Sequence, residues 1–247
     1  MNIISVWGPP GTGKSTVALA IAHQFTRKNK NVVILSADRV TPMFYTFLPY
    51  TKFDRDMSLG AFLENDIIKE RIVNKIHYHP KNKNLAFMCM GERDSYQRYK
   101  GNWSVTKLNE LVVLLSEMAD ILVLDLTSNF LVDNFTLWGL EKADKVISVA
   151  NPDNRSVAFL ESYKILLDNE TKYDTSKHIP VLNNCYEYSA YQKFMEEYFY
   201  SYYLPHSYEI YSNFICSYGN IFKGDDKSTK IFHKTIENIV RKELSFE

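Results

Sequence analysis

Gly8-Pro9-Pro10-Gly11-Thr12-Gly13-Lys14-Ser15 stands between the apolar run Ile3-Ile4-Ser5-Val6-Trp7 and a helix-forming stretch that begins at Lys14, and this junction decides how the remaining chain is read. The spacing Gly8-x4-Gly13-Lys14-Ser15 lets a backbone curl so that successive N–H groups point inward at a polyphosphate. The helix beginning near Lys14 adds the positive end of its dipole. Lys14 then reaches the β- and γ-phosphates, the Ser15 hydroxyl ligates Mg²⁺, and Thr16 donates toward the α-phosphate. Gly8, Pro10, Gly11, Thr12, Gly13, Lys14, Ser15 and Thr16 are the expected nucleotide contacts. At ordinary glycine usage, a chance match to the four fixed positions is on the order of one per cent.

Phosphoryl chemistry needs a carboxylate near the metal, at the end of a buried strand beside this loop. Asp125 fits, because it closes Ile121-Leu122-Val123-Leu124-Asp125 and is followed by Leu126-Thr127-Ser128. Asp38 ends the similar run Val32-Val33-Ile34-Leu35-Ser36-Ala37-Asp38 and is placed to orient an attacking or metal-bound water. A solvated strand-end Asp or a helix cap is the plainer reading of either residue. The expected catalytic set is Lys14, Asp38 and Asp125, with Ser15 and Asp125 on the metal.

Around this nucleus, short β-branched runs alternate with helix-length segments, the pattern of a doubly wound, mostly parallel α/β sheet with helices on both faces. The expected strands are 3–7, 32–35, 85–90, 121–126, 145–150, 180–182 and 198–204. Amphipathic periodicity predicts helices over 14–28, 105–118, 157–167 and 228–243. Residues 41–84, broken by Pro42, Pro49 and Pro80, are the least readable and suit either a lid or packing helices, with a short helix starting at Ser58.

A chain of 247 residues without repeat or linker reads as one domain over 1–247. Its 29 basic and 29 acidic residues cancel, so no overall field favours nucleic acid or an anionic membrane. Cys89, Cys185 and Cys216 are scattered, as buried thiols in a reducing compartment are. Without a leader-like start or about 18 consecutive apolar residues, a soluble cytoplasmic protein with no transmembrane segment is expected.

The chain resembles the ParA/MinD family of positioning ATPases, and especially its CpaE/TadZ-like members. Beside the phosphate loop, the resemblance rests on Ala143-Asp144-Lys145-Val146-Ile147-Ser148-Val149-Ala150-Asn151-Pro152-Asp153-Asn154-Arg155-Ser156-Val157, on Val181-Leu182-Asn183-Asn184 and on Tyr203-Leu204-Pro205. It implies that Asp38 is the switch aspartate, Asp125 the Walker B residue, and Asn183 and Pro205 the contacts to adenine. ATP and Mg²⁺ are the implied cofactors, and an ATP-dependent homodimer that recruits a further protein partner is the implied assembly. One position departs: Pro9 stands where the family usually carries a second lysine that crosses to the partner's phosphates. Loss of that charge implies slow hydrolysis.

Several rivals remain open. The loop also resembles that of adenylate kinase, but no D-G-(F/Y)-P-R segment or Arg-rich lid accompanies it. A scaffold that binds ATP without hydrolysis fits the same residues. An AAA+ ATPase fits less well, since no Glu adjoins Asp125. The T-K-x-D matches Thr51-Lys52-Phe53-Asp54 and Thr171-Lys172-Tyr173-Asp174 follow no apolar strand, which argues against GTP. His77 and His79 read as surface histidines rather than a metal pair. The tyrosines from Tyr186 to Tyr203 read as packing. Ile231, Phe232, Ile236, Ile239, Val240 and Leu244 read as the core face of the last helix, and nonspecific DNA binding through Lys223, Lys227, Lys230, Lys234, Arg241 and Lys242 is not favoured.

Overall fold

The computed structural model describes residues 1–42, 44–47, 58–91, 94, 99, 103–129, 134–168, 174–186, 197–198, 200–216 and 224–245. Eight strands, β1 (Asn2–Trp7), β2 (Val32–Ser36), β3 (His77–His79), β4 (Asn82–Cys89), β5 (Ile121–Asp125), β6 (Lys145–Ala150), β7 (His178–Cys185) and β8 (Tyr202–Pro205), form one sheet in the order β3-β4-β2-β5-β1-β6-β7-β8. Every pairing is parallel except the edge pair β3–β4. Strands β2 to β5 lie to one side of β1 and β6 to β8 to the other, so the loop leaving β1 sits where the chain order reverses. Doubly wound sheets open a ligand crevice there.

Alternation along the strands splits the core in two. Ile4, Val6, Val32, Ile34, Ile121 and Val123 pack on one face with α1 (Lys14–Arg27) and the C-terminal helix (Lys227–Lys242). Ile3, Trp7, Val33, Leu35, Leu122 and Leu124 pack on the other with α4 (Val105–Ser116) and α5 (Asn134–Lys142). The central strands β1, β2 and β5 are apolar at nearly every position because both faces are covered. Where Ser5 breaks that pattern, its buried hydroxyl donates to Gly139 O at 2.8 Å. A buried hydroxyl without such a partner costs about 1–3 kcal/mol.

Several boundaries differ from expectation. β4 begins at Asn82 because β3 pairs with it as a hairpin, a strand too short to show a period. His77 on β3 is buried, which corrects the reading of both histidines as surface residues. Tyr198 lies in a helical turn and the last strand starts only at Tyr202. The α5 helix was not anticipated, since Asn134 to Lys142 carries β-branched and aromatic residues with little period. In the stretch 41–84, packing helices α2 (Leu59–Leu63), capped by Ser58, and α3 (Lys69–Lys75) are present. Phe232, Ile236, Ile239, Val240 and Leu244 are buried as expected, but Ile231 is 43% exposed. The first T-K-x-D match and Lys223 lie outside the described residues, as does most of the second match.

Candidate functional site

Three glycines give the loop between β1 and α1 its positive φ angles, and two of them are also crowded. Gly8 (φ +151°) presses against β6, where a Cβ would meet Val149 O at 1.9 Å. Gly13 (φ +81°) lies under the Asn183 amide, and a Cβ there would meet Asn183 Nδ2 at 2.5 Å. Gly13 also occupies the N-cap of α1 and supplies no side-chain cap, so the first N–H groups of the helix stay free for an anion.

Strand parity and register assemble the polar centre. Ser36 and Asp125 share the parity of Ile34 and Val123, so both side chains face α1, and the β2–β5 register sets them side by side. Asp125 Oδ2 accepts from Ser15 Oγ at 2.9 Å and from Ser36 Oγ at 3.0 Å. Its Oδ1 is buried without a hydrogen-bond partner. Burial raises the Asp125 carboxyl to about 6, while the Ser15 bond, the Lys14 charge and the Ser36 bond pull the other way. Burial also lowers Lys14, against the attraction of Asp125 and Asp38.

Lys14 Nζ donates to Pro9 O at 2.9 Å and to Ser128 Oγ at 2.8 Å. Pro9 O also accepts from Thr12 Oγ1 at 2.9 Å, so this position contributes a carbonyl rather than a charge. Asp38 folds onto its own turn: Oδ1 accepts from the N–H groups of Val40 and Thr41 at 2.9 Å each. Arg39 also lines the cavity, yet it is 4% exposed, donates to Tyr99 O at 2.6 Å and lies over the Trp103 ring at 5.2 Å.

On the other side of β1, Asn183 Nδ2 donates to Thr12 O at 2.7 Å. Because Thr12 O can only accept, the amide orientation is settled and Oδ1 is left as the free acceptor. Pro205 closes β8 beside it. Lys14, Ser15, Asp38, Asp125, Ser128, Asn183 and Pro205 line one cavity of about 840 Å³, which reaches on to His206. The structure thus gathers Pro10, Gly11, Gly13, Lys14, Ser15, Thr16, Asp38, Asp125, Asn183 and Pro205 around one space, with Gly8 and Thr12 buried in the loop beneath.

Sequence reasoning missed Ser36, Ser128, Asn151, Asn184, Tyr186 and His206. Ser36 and Ser128 could have been sought as hydroxyls two or three residues from the strand-end carboxylates. Nothing local marked the others. Thr127 and Thr136, joined hydroxyl to hydroxyl at 2.7 Å, fix the turn that presents Ser128.

A divalent cation suits the donor set: Asp125 Oδ1 is an orphaned buried acceptor and the Ser15 hydroxyl stands at its companion oxygen. Among the described residues no three His, Cys, Asp or Glu side chains gather to hold a metal. Such a centre suits Mg²⁺, which is commonly bound through one or two protein oxygens, phosphates and water.

The model of the ATPase family associated with various cellular activities (AAA) matches residues 4–125, from the first strand to the strand-end aspartate. No curated protein sequence matches this chain. Solved structures match over the whole length. A ParA family ATPase from Chlorobium tepidum TLS superposes with a TM-score of 0.79 at 15% identity, covering 98% of this chain and 99% of that one. The fold is that of the ParA/MinD ATPases. The septum site-determining protein MinD complexed with Mg-ADP from Pyrococcus horikoshii OT3 superposes with a TM-score of 0.76 at 16% identity, covering 99% and 97%. A plasmid partition protein from Borrelia burgdorferi B31 bound to AMPPNP gives 0.72 at 16%, covering 98% of each chain. The AAA match spans only the loop and the first half of the sheet, whereas the ParA/MinD likeness extends through β6, β7 and β8. Among the described residues no helix is long and apolar enough to cross a membrane.

Proposed function

We propose that this chain is a Mg·ATP-dependent ATPase of the ParA/MinD type, nearest its CpaE/TadZ-like members, which acts as one cytoplasmic domain. ATP binding joins two copies face to face, and the dimer recruits or positions other machinery. The observation that carries the reading is the Ser15–Asp125–Ser36 cluster with its orphaned Asp125 Oδ1, set beside an uncapped helix N-terminus. In this reading the loop N–H groups and Lys14 bind the phosphates, Ser15 and Asp125 hold Mg²⁺, and Asp38 orients water on release from its own turn. Bound Mg²⁺ neutralises phosphate charge and polarises the γ-phosphoryl group.

Adenine is favoured over guanine because Asn183 offers a free acceptor, which suits the 6-amino group of adenine where guanine carries a carbonyl. Mg-ADP and AMPPNP on the two solved neighbours agree with that choice. Hydrolysis is slow, because Pro9 contributes a carbonyl and Arg39 is anchored within its own chain. The same facts support a second reading, a scaffold that binds ATP without useful turnover.

Size-exclusion of the chain with and without Mg·ATP, together with a phosphate-release assay, tests both. An ATP-dependent dimer that Lys14→Ala abolishes, with turnover below about 1 s⁻¹, supports the switch. A monomer under all conditions sinks it, and intact bound ATP with no phosphate release selects the scaffold.

A further inference from the structure

Tyr186 follows β7 and His206 follows β8, so neighbouring strands deliver two aromatic rings to one edge of the cavity. The rings stack with centroids 4.3 Å apart and planes 21° apart. Tyr211 tilts toward His206 from 6.2 Å, and all three residues line the cavity. Tyr186 is 72% exposed and Tyr211 54% exposed. Aromatic area left open beside a polar cavity is unburied contact surface for a flat ligand.

A chain of amides ties the stack to the phosphate loop. Asn151 Nδ2 faces Gly11 O at 3.4 Å, Asn184 Nδ2 donates to Asn151 Oδ1 at 2.9 Å, and Asn184 Oδ1 meets His206 Nδ1 at 3.4 Å. Gly11 O can only accept, and this sets the polarity of each following group in turn. The Asn151 and Asn184 amides are therefore set in orientation, and a proton on His206 Nδ1 completes the chain. Asn184 reaches both neighbours from a left-handed backbone (φ +54°) at the irregular end of β7, a conformation Asn tolerates and most residues do not.

We propose that the Tyr186–His206 stack is the platform on which the base of a purine nucleoside triphosphate lies, and that the Asn184–Asn151 bridge holds this platform in register with the phosphate loop. This rests on the nucleotide reading of the loop and adds to it the residues that grip the base. Asn183 would read the edge of the base, while the stack takes its face.

Calorimetric titration of the full chain with Mg·ATP and with Mg·tripolyphosphate, which lacks base and sugar, separates the two. Wild-type protein binds both. Tyr186→Ala weakens ATP by about 5- to 100-fold, the range of one base–aromatic stack, and changes tripolyphosphate less than about 2-fold. Tyr186→Phe keeps ATP affinity. Asn184→Gly, which retains the backbone conformation, weakens ATP several-fold. Unchanged ATP affinity in Tyr186→Ala overturns the platform, as do equal losses for both ligands or an effect confined to oligomeric state. Wild-type binding of neither ligand is a different failure, that of the nucleotide reading itself.

Discussion

The Ser15 hydroxyl donates to Asp125 Oδ2 over 2.9 Å although the two residues are 110 positions apart. One belongs to the first turn of α1 and the other to the end of β5, and the contact leaves the second carboxylate oxygen without a partner. Burial with one oxygen unpartnered disfavours the charged carboxylate, and the titration of this group should report that.

Asp125 titrates near 6 in the folded chain against an ordinary 3.8, chiefly through burial. The fold holds the protonated form more tightly, so the contribution of this group to stability is full below about 3.8 and is lost as pH rises through about 6. Asp125→Asn removes that loss. Urea unfolding at pH 7.5 should find the variant about 1–3 kcal/mol more stable than wild type, with the gap closing toward pH 4. In wild type, Mg·ATP should bind more weakly as pH falls below about 6, because the metal needs the ionised carboxylate.

Lys14 donates to Pro9 O and Ser128 Oγ across the mouth of the loop. Lys14→Ala should weaken ATP by about 10- to 100-fold, the value of one or two charge-assisted bonds. Ser128→Ala should change affinity by less than about 5-fold but alter the salt dependence little, since no charge is lost. Fluorescent-nucleotide titration measures both, and a Lys14→Ala protein that binds as wild type would falsify the phosphate role.

Asn183 is fixed by Thr12 O and keeps one free acceptor. Asn183→Ala should reduce ATP affinity by about 5- to 30-fold and shrink the preference for ATP over GTP. Competition between the two nucleotides for one site gives the ratio directly; an unaltered ratio removes Asn183 from base recognition.

At Gly13, a left-handed φ of +81° coincides with a close approach of Asn183 Nδ2. Gly13→Ala should therefore cost about 1–3 kcal/mol through backbone strain and a displaced amide. A thermal melt read beside ATP affinity checks this, with both expected to fall together.

By itself, the sequence located the glycine-rich loop between β1 and α1, the aspartates that follow β2 and close β5, and the layered α/β class. Those signals are local: glycine spacing, continuous apolar runs, and a carboxylate where a buried run stops. Even Asn183 and Pro205 were legible only through resemblance, as strand ends with an amide and a rigid ring. Tertiary structure alone decided that Ser36 joins Ser15 on Asp125, because that contact depends on the β2–β5 register, which no single segment encodes. It likewise decided that Asn151, Asn184 and His206 form one polarised chain and that Tyr186 stacks at its end, since three separate strand ends meet there. The hairpin at His77 and the helix at Asn134 were hidden for a related reason: each is too short or too aperiodic to declare itself, and packing against the sheet supplies what propensity does not.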